Sequence, residues 1–484
     1  MSIAARFPGL GEAAAAVPKP AGSKVFSYGT AGFREKEALL DSTVYRTALL
    51  AVLRSFQLGG KATGICITAS HNPMEDNGIK FADPDGGMLA QAWEPLCTRL
   101  ANAADDAVVE TLQAIADEQG IDMTNTKVEA LCFVGRDTRD SGERLIGHVR
   151  AAMLAFGGNV LDYGIMTTPQ LHSVVRMYNA GKKEWATESG YYDMLAAPFA
   201  ALVSGYEAPA SALIVDAANG VGGDKLKALL EKLAVACPGT THAQIEVRNY
   251  RASKTTVITF SISDESAHTR VLTHFDSLPP TCILFCTSCL PSSARKVRND
   301  GHGDGAVLNF KCGADHAQKY QLPPAGVDAT ADAERRLASY DGDADRIVYH
   351  FYDAEGEWHL IDGDKIAVLM AQFLKSLLDA TELDGATMGV VQTAYANGAS
   401  TKYIGETLGI EVAKTKTGVK HLHHKVSAGH GRLATASFHF MRINLFSHTL
   451  FDSLFLFLCR YFCFYERRSS TTSASTSRRT ATGR

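Results

Sequence analysis

Ile65-Cys66-Ile67-Thr68-Ala69-Ser70-His71-Asn72-Pro73 reads as a short buried strand running into a loop. Asn, Asp, Pro and Gly are dense from Thr68 to Gly78, and the spacing predicts a turn across that span. Pro73 restricts its own φ and biases Asn72 away from helix. A hydroxyl at a strand-to-loop junction can be an activated nucleophile or a phosphate carrier. His71 can assist proton transfer or simply support the loop. An ordinary turn with an N-cap serine explains the tetrapeptide alone equally well. No Gly-x-Ser-x-Gly elbow surrounds Ser70, which argues against a serine hydrolase.

The same unit, an apolar strand followed by a polar turn, recurs along the chain. Leu131-Cys132-Phe133-Val134 leads into Gly135-Arg136-Asp137-Thr138-Arg139, where Arg136 and Asp137 are expected to form an internal ion pair or brace the serine loop. Ala212-Leu213-Ile214-Val215 leads into Asp216-Ala217-Ala218-Asn219-Gly220, which suits a ligand site at a strand end and a structural turn equally. Helix-like stretches over residues 44–56 and 142–156 alternate with these strands, so the class is α/β.

A second informative string is Asp341-Gly342-Asp343-Ala344-Asp345-Arg346. In an extended or looped backbone, side chains at alternate positions lie on one side. Gly342 and Ala344 leave room for the loop to close around an ion. Carboxylates without Cys or His favour an oxygen-loving cation, Mg²⁺ before Zn²⁺. An EF-hand loop would need Glu where Tyr352 stands, so that reading fails, while an acidic solvated turn remains open. Arg346 adds a planar fork suited to phosphate or sugar oxygens.

Read in order, these segments resemble the phosphoacetylglucosamine mutase family of the α-D-phosphohexomutase superfamily. The resemblance also rests on Tyr28-Gly29-Thr30-Ala31-Gly32-Phe33-Arg34, Glu75-Asp76-Asn77-Gly78, Asp162-Tyr163-Gly164 and Thr167-Thr168-Pro169-Gln170-Leu171-His172. Further along it rests on Ile361-Asp362-Gly363-Asp364-Lys365, Val391-Gln392-Thr393-Ala394-Tyr395-Ala396-Asn397-Gly398 and Thr415-Lys416-Thr417-Gly418-Val419-Lys420-His421-Leu422-His423-His424-Lys425. The last two are closer to the acetylglucosamine branch than to the glucose or mannose branches. Ordered matches across residues 25–425 leave little room for chance.

The resemblance implies a multi-domain α/β, phosphohexomutase-like fold, with mixed sheets sandwiched by helices. It implies that Ser70 is a phosphoserine and that Asp341, Asp343 and Asp345, with the Ser70 phosphate, hold one Mg²⁺. Arg34, His71, Lys80, Arg346 and Lys420 are candidates to line the transfer site. The implied reaction interconverts N-acetylglucosamine 6-phosphate and N-acetylglucosamine 1-phosphate through a bisphosphorylated sugar, which also serves as activator, on the route to UDP-N-acetylglucosamine. Phosphoryl transfer depends on positioning and on spreading charge over equatorial oxygens, and a metal stabilises that charge. His421, His423 and His424 are expected to meet solvent, substrate or a loop rather than a metal.

The 484 residues suffice for several domains, and the net charge of −4 carries no long basic block, so nucleic acid and acidic membrane surfaces are not implied. The apolar run over residues 13–17 is too short for a secretory leader. Ten cysteines without a framework read as free thiols of a cytoplasmic protein. A monomer acting on a small sugar phosphate is expected. The expected division is an N-terminal extension over 1–24, a phosphoserine domain over 25–185 and a metal-loop domain over 186–352. An incomplete sugar-binding domain over 353–425 and a non-family tail over 426–484 follow.

Two stretches depart from the family. Val297-Arg298-Asn299 repeats Val247-Arg248-Asn249, and the intervening Ser-, Thr-, Cys- and Phe-rich span reads as a translated intron or an insertion. Its Cys282, Cys286 and Cys289 lack a fourth zinc ligand at a standard spacing. After Ala428 the family's sugar-recognition loop and its C-terminal phosphate-gripping domain are expected to be missing; Gly429-His430-Gly431 is only a superficial echo of that loop. A membrane span needs ~20 apolar residues, and Asp452 and Arg460 interrupt the Phe- and Leu-rich stretch 446–465, so an anchor is disfavoured and a misread exon end is expected. Severely reduced or absent mutase turnover follows from that expectation. The alternatives are a non-catalytic sugar-phosphate or partner-binding protein, and a phosphoglucomutase or phosphomannomutase.

Overall fold

A computed structural model describes residues 1–22, 24–203, 213–236, 245–248, 257–258, 307–333, 335–380 and 388–428. The insertion's three named cysteines and the tail over residues 429–484 lie outside these described residues.

The first sheet contains β1 (Phe33–Lys36), β2 (Thr63–Ile67), β3 (Asp76–Ala82), β4 (Ala130–Arg136) and β5 (Gly158–Ile165), in spatial order β1-β3-β2-β4-β5. β2 is antiparallel to β3 and parallel to β4, so the sheet is mixed. Every residue of β2 is buried, as expected for a strand covered on both faces. Its side chains alternate accordingly. Ile65 and Ile67 join one apolar cluster with Val44, Leu49 and Val149, whereas Cys66 joins another with Leu171 and Val175. Helices Asp41–Gln57 and Gly142–Ala155 supply the first cluster, and Thr168–Asn179 the second. The helical stretches expected from the sequence therefore form.

The predicted turn over residues 68–78 is shorter than expected, because β3 already begins at Asp76. Lys36 pairs with Asp76 and Arg34 with Gly78, so β1 draws this polar segment into the ladder. Gly78 is needed there: a Cβ would lie 2.5 Å from Phe33 O and 2.7 Å from Thr68 O.

The second sheet runs β11-β10-β9-β6-β7-β8, with β6 (Leu213–Asp216), β7 (Ile245–Arg248), β8 (Val257–Ile258), β9 (Arg336–Tyr340), β10 (Ile347–Tyr352) and β11 (Trp358–Ile361). It thus reaches Ile361, past the boundary expected at residue 352. Helices Glu188–Val203, Gly222–Ala236 and Gly363–Ala380 cover one face through Leu195, Leu226, Leu230, Ile366 and Met370. Helix Gly313–Tyr320 packs Ala314 and Ala317 against Val348 and Leu360 in a separate cluster. A smaller parallel pair, β12 (Gly389–Thr393) and β13 (Glu411–Thr415), packs on helix Gly363–Ala380 through Val390, Ile410 and Ala371.

Two features of this topology place the site. β2 and β4 run parallel, so the loops after Ile67 and Arg136 leave the sheet side by side. β9 and β10 are antiparallel with Tyr340 opposite Ile347, so the acidic string is the loop of a β-hairpin.

Candidate active site

The serine loop and the acidic hairpin meet. Ser70 is buried at 1% exposure, and its Oγ donates toward Asp341 Oδ2 at 3.1 Å and Asp343 Oδ1 at 2.9 Å. Ser70 has φ 56, a left-handed conformation uncommon outside glycine. The surrounding chain holds it there. Thr68 Oγ1 accepts from Ser70 N–H at 2.9 Å and donates to Asp137 Oδ2 at 2.6 Å. Asp137 in turn accepts from Arg139 Nε at 3.0 Å. The Arg139 guanidinium donates to the carbonyls of Asp76 at 2.7 Å and Asn72 at 2.8 Å, and also to that of Pro73. The expected support of the serine loop therefore comes from Asp137 and Arg139. Arg136 is drawn away to Glu143 at 2.9 Å, because a fully buried Asp137 is better neutralised by the equally buried Arg139.

Asp341, Asp343 and Asp345 present oxygens within 4.8 Å of one another. Asp341 also orders its own loop: Oδ1 accepts from the N–H of Asp345 and of Arg346, each at 3.1 Å. Burial, with the charges of Asp345 and Asp343, pushes the Asp341 carboxyl well above the usual carboxylate range. That is the signature of a carboxylate set in need of positive charge. Lys80 supplies part of it, reaching Asp343 Oδ2 at 2.6 Å and Asp345 Oδ2 at 2.8 Å. Burial alone would lower the Lys80 pKa, but the two carboxylates override it and raise it, so Lys80 stays an ammonium. The three groups all offer carboxylate oxygens, which fits a hard divalent cation.

Arg346 donates from Nε to Asp341 Oδ2 and from Nη1 to Asp315 Oδ1, both at 3.1 Å, and its Nη2 meets His71 Nδ1. Burial first, then the Arg346 charge, pulls the His71 pKa down to about 4, so its ring is neutral at pH 7. Arg34 projects from β1, and its charge presses on both His71 and Lys80. Lys420 is placed elsewhere: its ammonium lies 2.7 Å from both carboxylate oxygens of Glu94. Nearby, the His423 ring packs against Gly87, a loop contact of the kind expected for the histidine triplet.

Sequence reasoning passed over several neighbours. Thr168, at the start of a helix capped by Thr167 and Gln170, donates from its backbone N–H to Asp343 O at 3.2 Å and from its hydroxyl to the Asp343 carboxylate. Asp315 shares Arg346 with Asp341, and Asn309 contacts the serine loop directly. Thr168 stands inside a string the family shares, which was its available signal; Asp315 and Asn309 stand in none quoted above. The Asp216 turn proves to be a brace. Its carboxylate accepts from Ala218 N–H at 2.9 Å, Gly313 N–H at 2.7 Å and Ser339 Oγ at 3.1 Å. Val221 N–H then holds Gly342 O at 3.0 Å. The four cysteines among the described residues, Cys66, Cys97, Cys132 and Cys312, are buried free thiols.

Comparison with known proteins agrees with this geometry. The family model for phosphoacetylglucosamine mutase AMG1, domain III, matches residues 362–430. The phosphoglucomutase/phosphomannomutase α/β/α domain I model matches residues 47–108 and 102–183. Phosphoacetylglucosamine mutase of Sus scrofa is 41% identical over 409 residues, covering 83% of this chain and 63% of the relative. The chain thus spans less than two thirds of that relative's length. An Aspergillus fumigatus N-acetylphosphoglucosamine mutase structure is 39% identical with a TM-score of 0.71, covering 86% of this chain and 67% of that one. A second, in complex with glucose 1,6-bisphosphate, is 34% identical with a TM-score of 0.74, covering 95% and 81%. A third, in complex with GlcNAc-6P and magnesium, is 39% identical with a TM-score of 0.69, covering 87% and 68%. The chain belongs to the phosphoacetylglucosamine mutase family of the α-D-phosphohexomutase superfamily.

Proposed function

We propose that this chain carries the phosphoryl-transfer centre of an N-acetylglucosamine phosphate mutase. The observation that carries the reading is Ser70 Oγ within 3.1 Å and 2.9 Å of two buried carboxylates that lie 271 and 273 residues away in sequence. Carboxylates crowded around a hydroxyl would repel a phosphate unless a cation joins them. Asp341, Asp343 and Asp345 would hold Mg²⁺, which supplies Lewis-acid neutralisation of the phosphoryl oxygens when bound.

The chain's own groups do the rest. Phosphorylated Ser70 gives its phosphoryl group to a hydroxyl of the sugar monophosphate: the Ser70 Oγ–P and sugar O–H bonds break, a sugar O–P bond forms, and the proton ends on Ser70 Oγ. The resulting bisphosphate returns its other phosphoryl group to Ser70, and the monophosphate isomer leaves. Arg34 and Arg346 place positive charge beside the transferring group, and the neutral His71 orients Arg346. Lys80, pinned between Asp343 and Asp345, adds a cation where negative charge gathers. The N-acetylated sugar is favoured because the domain III match belongs to the acetylglucosamine branch. Lys420 would serve the sugar side of the cleft rather than the transfer centre. Buried free thiols suit a reducing cytoplasm, and a monomer acting on a small sugar phosphate completes the reading. Among the described residues no helix is long and apolar enough to cross a membrane.

The test is loading of Ser70. The 484-residue chain is incubated with glucose 1,6-bisphosphate and Mg²⁺, then weighed intact and mapped. A phosphate on Ser70 that is absent in Ser70→Ala supports the centre. A chain that is folded, binds Mg²⁺ and never acquires the phosphate sinks it. Comparing N-acetylglucosamine 6-phosphate with glucose and mannose 6-phosphates as acceptors of that phosphate decides the sugar.

A further inference from the structure

We propose that Asn309 is a positioning residue for Ser70. Its side-chain amide holds the serine loop in the left-handed turn that aims the hydroxyl at the acidic hairpin. The proposal rests on the reading of Ser70 as phosphoryl carrier.

Asn309 Nδ2 donates to two carbonyls of the serine loop, Ser70 O at 2.8 Å and Asn72 O at 3.1 Å. An amide nitrogen has two hydrogens, and both are used. The same two carbonyls receive Arg139 Nη2, at 3.3 Å and 2.8 Å. The loop is therefore gripped from both sides. Arg139 belongs to the first sheet's side, following β4. Asn309 belongs to the second sheet's side: its N–H donates to Ala218 O at 3.0 Å, and Asn219 Nδ2 donates to Val307 O at 3.2 Å.

The amide is also wedged against the hairpin. A Cβ on Gly342 would lie 3.0 Å from Asn309 Nδ2 and 2.5 Å from Ser70 O. The Asn309 amide and the Ser70 carbonyl thus both press on the backbone of the acidic string. Ser70 at φ 56 sits in a sparsely populated backbone conformation, and the two hydrogen bonds from Asn309 oppose its relaxation. Asn309 itself sits at φ 59, which asparagine tolerates better than most residues.

Two variants of the full chain separate the side chain from the backbone. Asn309→Gly keeps the left-handed backbone without strain and removes the amide. Asn309→Asp keeps the shape and sets an acceptor against two acceptors. Three quantities are read: the thermal midpoint, hydrogen–deuterium exchange of peptides spanning residues 68–78, and the rate of Ser70 loading by glucose 1,6-bisphosphate with Mg²⁺. In Asn309→Gly the midpoint should stay near wild type, while exchange in this loop quickens and loading slows, each by about tenfold, the equivalent of ~1.4 kcal/mol. Asn309→Asp should lose at least as much.

Wild-type loading in either variant overturns the proposal, even if exchange quickens, because the amide would then be structural only. Unchanged exchange in Asn309→Gly also overturns it. If wild type itself never loads, the phosphoserine reading fails, and the exchange experiment still decides whether Asn309 holds the loop.

Discussion

At the scale of single residues, the serine loop depends on a buried ion pair. Asp137 and Arg139 are both sealed from solvent and satisfy each other and the loop carbonyls. Removing one partner strands the other charge, which costs about 3–5 kcal/mol. Arg139→Met should therefore lower stability by about that amount in urea titrations. Adding Asp137→Asn to that background should recover part of the loss, a coupling that a double-mutant cycle measures. If the two effects simply add, the pair is not the unit described here.

His350 gives a pH dependence of known sign. Trp358 Nε1–H donates to its Nδ1 at 3.3 Å, and its Nε2 lies 3.0 Å from Ser339 Oγ. Burial pulls its pKa down to about 3, whereas in the unfolded chain it is about 6.5. Between those values the unfolded chain binds the extra proton. The stabilisation is thus complete above about pH 6.5 and declines as pH falls toward 3. His350→Gln should flatten the loss of stability between about pH 6.5 and 4.5, read from urea midpoints. An unchanged slope would remove His350 from the account.

At the scale of elements, the acidic string was legible as a candidate metal loop because alternation and donor chemistry are local. Its being a hairpin loop, with β11 extending the sheet past residue 352, was not. Pairing across a sheet is decided by partners remote in sequence. The same limit shortened the predicted turn at β3, since β1 claimed Asp76 to Ile79. Lys420 shows the converse: its family string is recognisable, but its partner Glu94 lies 326 residues away and carries no mark in the sequence. The strand-end turns around Asp137 and Asp216 were visible as turns; bracing by Asp137 was expected, but only packing showed its partner to be Arg139 rather than Arg136 and the Asp216 turn to be a brace as well.

Close approach between turns gives a prediction at this scale. A Cβ on Gly220 would lie 2.3 Å from Gly342 O and 2.7 Å from Gly342 Cα, both backbone atoms with little freedom to move. Gly220→Ala should push the Asp216 turn off the acidic hairpin. The expected result is a loss of roughly 1–3 kcal/mol in denaturant titrations and a weaker response to Mg²⁺. Wild-type behaviour in both would mean that the two turns do not bear on each other.

At the scale of the whole molecule, the centre joins two sheets that are otherwise built separately. Family strings spread along the chain made the α/β, multi-sheet plan readable. Which sheet contributes each clamp became clear only when Ser70, Thr168 and Asn309 were found around one hairpin. A cation bound by Asp341, Asp343 and Asp345 would stabilise the folded chain. Mg²⁺ at about a hundred times its dissociation constant should add about 2.7 kcal/mol. Asp343→Asn should abolish most of that gain while leaving the metal-free chain folded, as thermal midpoints with and without Mg²⁺ would show.

The separation between Ser70 and its carboxylate partners also sets a timetable during synthesis. Ser70 leaves the ribosome 271 residues before Asp341. The first sheet is complete only once Ile165 is made, and at about 5–20 residues per second it then has roughly 9–35 s to fold before Asp341 exists. Through that interval a nascent chain exposes its serine loop with no acidic hairpin to receive a metal. If Ser70 is the phosphoryl carrier proposed above, newly made protein would emerge unphosphorylated and take its first phosphate from a sugar bisphosphate met after release.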